Sequence, residues 1–248
     1  MNKTLVVMPT FNELESLGDS VVDLFAANPS VDLLIVDDNS PDGTGALADQ
    51  LAADSRWLGK IHTLHRSGKQ GLGLAYLAGF DWALERGYEL IVEMDADGSH
   101  RASDLPGLLD QAERFDLTLG SRWVAGGRVE NWPWHRKAIS RIGNRYVKLM
   151  LGVTVNDMTA GFRVFRAEFL RSMDLTNIAA KGYSFQVEMA WRVIKLGGVV
   201  REIPITFIER SQGTSKMTLA IVLEALALVT RWGVQRVADL PAARRSRM

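Results

Sequence analysis

The chain has 248 residues, 47% hydrophobic and 23% charged, which fits one large α/β domain, or a domain plus a C-terminal appendage, with a substantial core. Lysine plus arginine equals aspartate plus glutamate at 29 each, so no global field draws it to nucleic acid, and an anionic ligand must be held by local cations. The absence of cysteine excludes disulfides, thiolate metal sites and thiol nucleophiles.

Along the chain, short β-branched runs alternate with amphipathic stretches. Leu5–Met8 is too short for a signal peptide and runs straight into a polar turn, so it reads as a strand. A helix is predicted over Leu14–Ala26, with Asn12 as N-cap and Glu15 as its capping-box partner. Strands at Leu33–Val36, Ile61–Leu64, Ile91–Met94 and Thr118–Leu119 then alternate with helices at Thr44–Ala53, Leu72–Glu85 and Asp104–Arg114. This alternation predicts a doubly wound, mainly parallel sheet, with ligands beyond the carboxyl ends of its strands. Beyond Trp123, the glycines and tryptophans up to Trp134 predict a long loop on the substrate side. A helix over Ala138–Met150, a strand at Phe162–Phe165 and a helix over Phe185–Leu196 follow. Val199–Ile203 and Thr206–Ile208 read as strands, and Met217–Val237 as a terminal helix whose apolar Leu219, Val222, Leu223, Leu226, Val229 and Val237 fall largely on one face. The basic tail 241–248 is expected to be mobile. The organisation predicted is a main domain over 1–216, a helix over 217–240 and that tail. Leu219–Val229 is too short to cross a bilayer, and Glu224 interrupts it.

Several strand ends carry chemistry. Asp37 and Asp38 follow one strand; one caps the turn, and the other is left to accept hydrogen bonds from a ribose or base. Asp95-Ala96-Asp97 follows Ile91–Met94. Alternate residues at a strand end point the same way, and two carboxylates facing one ligand repel unless a cation lies between them. Mg²⁺ or Mn²⁺ shared with substrate phosphates suits such a pair. Arg122, Arg136 with Lys137, and Arg210 with Lys216 stand in loops where a diphosphate would need cations. Gly71-Leu72-Gly73 lacks the third glycine of a dinucleotide fingerprint, Tyr76 standing there, and reads as a turn. Among the histidines only His100 lies beside the acidic cluster.

Taken together, Pro9-Thr10-Phe11-Asn12-Glu13, Val36–Thr44 and Asp95-Ala96-Asp97 resemble the inverting glycosyltransferases of family 2, of GT-A fold. Lys69–Gly73, Gly120-Ser121-Arg122, Asp157–Arg163, Gly182–Gln186, Glu209-Arg210 and Gly213–Lys216 narrow the resemblance to polyprenol (dolichol) phosphate mannose synthases, over about Thr4 to Lys216. The resemblance implies GDP-mannose as donor, Mg²⁺ or Mn²⁺ as cofactor and a polyprenyl phosphate lipid as acceptor, and a product β-linked by inversion. It implies that Pro9, Phe11, Glu13, Val36 and Asp38 line the nucleoside pocket, that Asp95, Ala96 and Asp97 meet the diphosphate and metal, and that Ser99 lies near the metal. Some relatives have glutamine at that last position, a stronger ligand than a hydroxyl. Arg122, Arg136, Arg210 and Lys216 would hold the donor and acceptor phosphates, with Asp97 and these cations as the catalytic set. It further implies peripheral attachment at the cytoplasmic face of a membrane beside a membrane-embedded partner. UDP-glucose as donor, a nicotinamide dehydrogenase of similar alternation and a silent nucleotide-sugar binding module are the rival readings. The missing glycine fingerprint and the intact acidic and basic sets weigh against the last two.

Overall fold

The computed structural model describes residues 2–178, 182, 184–209 and 219–245, with the backbone alone for 219–222 and 239–245. Outside the described residues lie Tyr183, Arg210, Gly213–Lys216, the boundary expected at 216–217 and Arg247.

The strands are β1 (Thr4–Thr10), β2 (Asp32–Asp37), β3 (Ile61–His65), β4 (Leu90–Glu93), β5 (Leu117–Ser121), β6 (Arg128–Glu130), β7 (Arg163–Arg166), β8 (Val200–Pro204) and β9 (Thr206–Ile208). The α-helices are α1 (Leu17–Ala27), α2 (Thr44–Ala53), α3 (Leu72–Glu85), α4 (Leu105–Ala112), α5 (Trp134–Leu151), α6 (Ala167–Ser172), α7 (Ser184–Lys195) and α8 (Leu219–Arg245). Seven strands form one sheet in the order β3-β2-β1-β4-β7-β5-β8, and β6 pairs with β9 in a small second sheet. All pairings in the large sheet are parallel except those of β7, which runs antiparallel between β4 and β5. The expected doubly wound, mainly parallel α/β sheet is therefore present.

Alternate residues of β1 face opposite sides, as the pleat requires. Leu5 and Val7 join Tyr76, Phe80, Val147 and Phe185 on one face, whereas Val6 and Met8 join Leu17, Val21, Ala48 and Leu105 on the other. Chain order reverses at β1, whose neighbours are β2 and β4. Sheets of this kind bind ligands at such a switch point, and the tips of β1, β2 and β4 meet there.

Four expectations change. Asn12 is not a helix N-cap: it takes a left-handed conformation (φ 57°), its N–H donates to Ser40 Oγ at 3.1 Å, and α1 begins at Leu17 on the Glu13 carbonyl. The stretch 123–134 is not all loop, because β6 pairs there with β9; a three-residue strand is too short to show a period. The terminal helix runs on to Arg245, through most of the tail expected to be mobile. Its apolar stripe is split, with Val229 buried while Leu223, Leu226 and Val237 face outward.

Candidate active site

At the tips of β1 and β2 the two aspartates divide their work. Asp37 is buried and accepts from Thr10 Oγ1 (3.0 Å), Ser40 N (3.0 Å) and Ser40 Oγ (2.6 Å), so it fixes the turn. Asp38 pairs with Arg66, which also donates to Gln70 Oε1 at 3.0 Å. Burial outweighs Arg66 and raises the Asp38 pKa above the usual carboxylate value. Lys69 lies 4.2 Å above the Phe11 ring. Phe11, Glu13 and Asp38 thus surround one strand-end cleft with Lys69 and Arg66 opposite, while Val36 is wholly buried in the sheet beneath. Gly71 opens α3 at φ 104°, a conformation glycine adopts readily, in agreement with a turn role.

The acidic loop after β4 is braced from several sides. Ser20 Oγ donates to the Ala96 carbonyl at 2.9 Å, which sets the peptide between Asp95 and Asp97. The Tyr76 hydroxyl donates to Asp95 Oδ1 at 3.2 Å, and His100 Nδ1 accepts the Asp95 N–H at 3.1 Å. Because that nitrogen accepts, a neutral His100 ring carries its proton on Nε2. Its ring stacks on Phe162 at 5.0 Å, and a Cβ at Gly161 would stand 3.3 Å from it, so only a small residue fits comfortably there. Asp97 Oδ1 accepts the Ser99 N–H at 3.0 Å. Burial, together with Asp97 and Glu13, raises the Asp95 pKa, with His100 and Tyr76 working against the rise.

Among the described residues no cluster of three or more His, Asp or Glu side chains is gathered tightly enough to hold an ion unaided. The loop nevertheless fits a hard divalent cation. Asp97 lies close enough to raise the proton affinity of Asp95, and the Ser99 hydroxyl is buried with no hydrogen-bond partner. An oxygen-ligand ion that completes its shell with phosphate and water suits that donor set.

Beneath the loop, Glu93 is fully buried, 3.9 Å from Arg163 Nε, and burial pushes its pKa up to about 7 against the pull of Arg163 and Gln186. Arg163 donates to the carbonyls of Ala160 (2.6 Å), Gln186 (2.6 Å) and Met158 (2.8 Å) and so pins the 158–160 turn to the sheet. That turn carries Asp157, which grips Arg122 through Nε (2.8 Å) and Nη2 (2.7 Å). Arg122 also faces Trp123, Trp132 and Phe207 with its carbon at 5.8, 5.6 and 5.4 Å from the three ring centroids. Arg136 pairs with Glu209 and lies 4.2 Å over Trp132. The indole N–H groups of Trp123 and Trp132 are buried without partners. Two arginines, each paired with a carboxylate, thus lie against an aromatic cluster of Trp123, Trp132 and Phe207.

The fold therefore sets Phe11 with Lys69 and Asp38 with Arg66 at the strand tips, Glu13 near Asp95, and His100, which accepts the Asp95 N–H, against Phe207, which in turn faces Arg122. Lys137 is half-buried on α5. Sequence reading missed Arg66, Tyr76, Ser20, Asn144 and Phe207 as site residues. Of these, only Arg66 follows a strand end, a position that could have flagged it.

The family model for glycosyl transferase family 2 matches residues 5–173. The polyprenol monophosphomannose synthase of Mycolicibacterium smegmatis is 51% identical over 235 residues, covering 94% of this chain and 88% of its own length. The undecaprenyl-phosphate mannosyltransferase of Micrococcus luteus is 52% identical over 232 residues, covering 94% of each chain. In fold, the chain is similar to glucosyl-3-phosphoglycerate synthase of Mycobacterium tuberculosis, solved with Mn²⁺, UDP-glucose and phosphoglyceric acid. The TM-score is 0.67 at 17% identity, covering 95% of this chain and 79% of that one. Mannosyl-3-phosphoglycerate synthase of Rubrobacter xylanophilus gives a TM-score of 0.66 at 17% identity, covering 97% and 75%. The sheet is thus of the GT-A type.

Proposed function

The chain belongs to glycosyl transferase family 2, and we propose that it transfers mannose from GDP-mannose to a polyprenyl phosphate, with inversion at the anomeric carbon. The observation that carries this reading is an acidic pair at the strand ends, braced by Ser20 and Tyr76, with the Arg122 and Arg136 contacts to Trp132 linked to it through His100 and Phe207. The names of the two curated relatives support the acceptor and the sugar.

In this reading Asp38 accepts from the donor nucleoside, held in place by Arg66, and Phe11 offers an apolar face. Asp95, Asp97 and Ser99 would hold Mg²⁺ or Mn²⁺, which supplies positive charge against the diphosphate as it leaves. Arg122 and Arg136, with Arg210 and Lys216 from the resemblance, orient the acceptor phosphate. A phosphomonoester is already anionic at neutral pH, with a second pKa near roughly 6, so the site needs no strong base to attack the sugar. Its residues place two anions in line instead. Attack opposite the leaving group turns an α-linked donor into a β-linked product. Peripheral attachment at the cytoplasmic face of a membrane, beside a membrane-embedded partner, completes the proposal.

The test is incubation of the purified chain with polyprenyl phosphate and labelled GDP-mannose or UDP-glucose, with and without divalent ion. Label should enter the lipid extract from GDP-mannose only. Transfer from UDP-glucose alone would replace the donor, and no transfer from either would sink the proposal.

A further inference from the structure

Helix α5 carries a second apolar face besides the one that Val147 and Leu151 bury in the core. A helix on a soluble domain turns its apolar stripe to the core and its charges to water. In α5, Trp134, Ile142 and Leu149 are 79%, 68% and 77% exposed, and Ile139 is exposed beside them. At about 100° per residue, Trp134, Ile142, Arg145 and Leu149 fall on one face. Arg145 stands within this stripe and Arg141 at its edge, both exposed, with Lys137 and Lys148 behind Arg141. The helix sequence WHRKAISRIGNRYVKLML holds no acidic residue.

Helix α8 lies beside α5 and runs in the same direction. Tyr146 is hydrogen-bonded to Thr230 at 2.6 Å, and a Cβ at Gly233 would meet Met150, so the close approach needs glycine. Val229 and Gly233 turn inward, which leaves Leu223, Leu226, Val234 and Val237 facing out. Leu149, Val234 and Val237 line a shallow groove of about 440 Å³ between the two helices. The outcome is a broad apolar face across two helices, bordered by cations that α5 does not neutralise.

We infer that the paired outer faces of α5 and α8 dock on an anionic lipid bilayer. Large apolar side chains with long arginines among and beside them match the layering of acyl chains beneath acidic headgroups, because an arginine stem can lie along apolar surface while its charged end reaches the headgroups. A water-facing role would leave the large side chains of Trp134, Ile142 and Leu149 unexplained. The placement also suits the chemistry, and here the inference rests on the proposed lipid acceptor. Arg136 at the wall of the cleft stands on the first turn of α5, next to Trp134 at the start of the stripe. A bilayer on this face would present a lipid phosphate to the cleft with its chain still in the membrane.

Flotation of the full chain with vesicles of phosphatidylcholine alone, and of phosphatidylcholine mixed equally with phosphatidylglycerol, tests this. The parent should float with the anionic vesicles at low salt. Ile142→Ser/Leu149→Ser should reduce the floated fraction by roughly tenfold, and Arg145→Glu should weaken it selectively on anionic vesicles. Leu223→Ser/Val234→Ser tests α8 in the same way, and each variant is first shown to melt like the parent. Transfer to a water-soluble short-chain isoprenyl phosphate should survive in all of them, whereas transfer to vesicle-borne polyprenyl phosphate should fall. A parent that stays at the bottom of the gradient, or α5 variants that float like the parent, would overturn the inference. So would a parent dimer in light scattering that Ile142→Ser/Leu149→Ser dissociates, since a second copy would then cover the face. A chain that floats as expected but transfers mannose to no isoprenyl phosphate would instead refute the proposed function.

Discussion

Arg122 and Asp157 form a two-pronged buried pair, Nε to Oδ2 at 2.8 Å and Nη2 to Oδ1 at 2.7 Å, and the Arg122 backbone N–H adds a third bond to Oδ2 at 3.0 Å. Asn144 and Thr159 hold the same two side chains from behind. The Arg122 guanidinium is thus oriented by a carboxylate that is wholly buried.

This pair should show itself in acid. Burial favours the protonated form of Asp157, but Arg122 outweighs it and holds the carboxyl below its ordinary value. A group whose folded pKa is depressed stabilises the fold above its unfolded pKa and loses that contribution as pH falls through the folded one. The parent should therefore lose part of its stability below about pH 4. Asp157→Asn leaves a buried guanidinium without its counter-charge and should cost about 3 kcal/mol at neutral pH. Its melting temperature should then depend less on acid than the parent's. A variant that melts like the parent at neutral pH would show that the pair contributes nothing to stability.

Asp97→Asn should abolish transfer with the fold intact by circular dichroism. Chelator should do the same to the parent, with recovery on adding Mg²⁺ or Mn²⁺. Undiminished transfer in excess chelator would remove the divalent ion from the mechanism.

Tyr76→Phe isolates one brace of Asp95. The ring stack on Phe185, with centroids at 6.1 Å, should persist, while the hydroxyl bond to Asp95 is lost. Losing one hydrogen bond of about 1 kcal/mol should raise the divalent ion concentration giving half-maximal transfer roughly fivefold. The saturated rate should change less. A metal titration curve identical to the parent's would show that Asp95 does not need this support.

Arg136 separates binding from stability. Its partner Glu209 is partly exposed, so the pair contributes about 1 kcal/mol or less to folding. Arg136→Ala should lower kcat/KM for the lipid acceptor by roughly a hundredfold, the loss of a charge-assisted contact of about 3 kcal/mol. Melting should be nearly unchanged. Arg210→Ala and Lys216→Ala should behave likewise. Melting lowered by several degrees with activity per folded molecule retained would mark these cations as structural instead.

Asp38→Asn should weaken binding of the donor nucleotide, read by displacement of a fluorescent GDP analogue, and leave the maximal rate at saturating donor less affected. Equal weakening of the lipid acceptor would place Asp38 outside the nucleoside cleft.

Most elements and the strand-end chemistry were legible in the sequence. Runs such as Leu33–Val36 and Ile91–Met94 are apolar enough to be central strands, and acidic residues directly after them must emerge at the carboxyl edge of a parallel sheet. Periodicity is a local property, so it also placed Leu72–Glu85 and Thr44–Ala53 at their observed bounds. Local reading failed where the partner is distant. Asn12 resembles a cap until Ser40, far along the chain, takes its N–H, and β6 is invisible without β9 beside it.

Tertiary structure alone decided how the wall of the cleft is made. Phe162–Phe165 reads as a strand, but nothing local says that it enters the sheet antiparallel between β4 and β5. That reversal sets Arg163 opposite both Glu93 and Leu119 and puts the preceding turn at the carboxyl edge. Asp157 reaches Arg122 for that reason. Tertiary structure also decided that the apolar face of α5 looks outward. The helix period fixes which residues share a face, but only the neighbours that bury Asn144, Val147 and Leu151 determine which face is left to the surroundings.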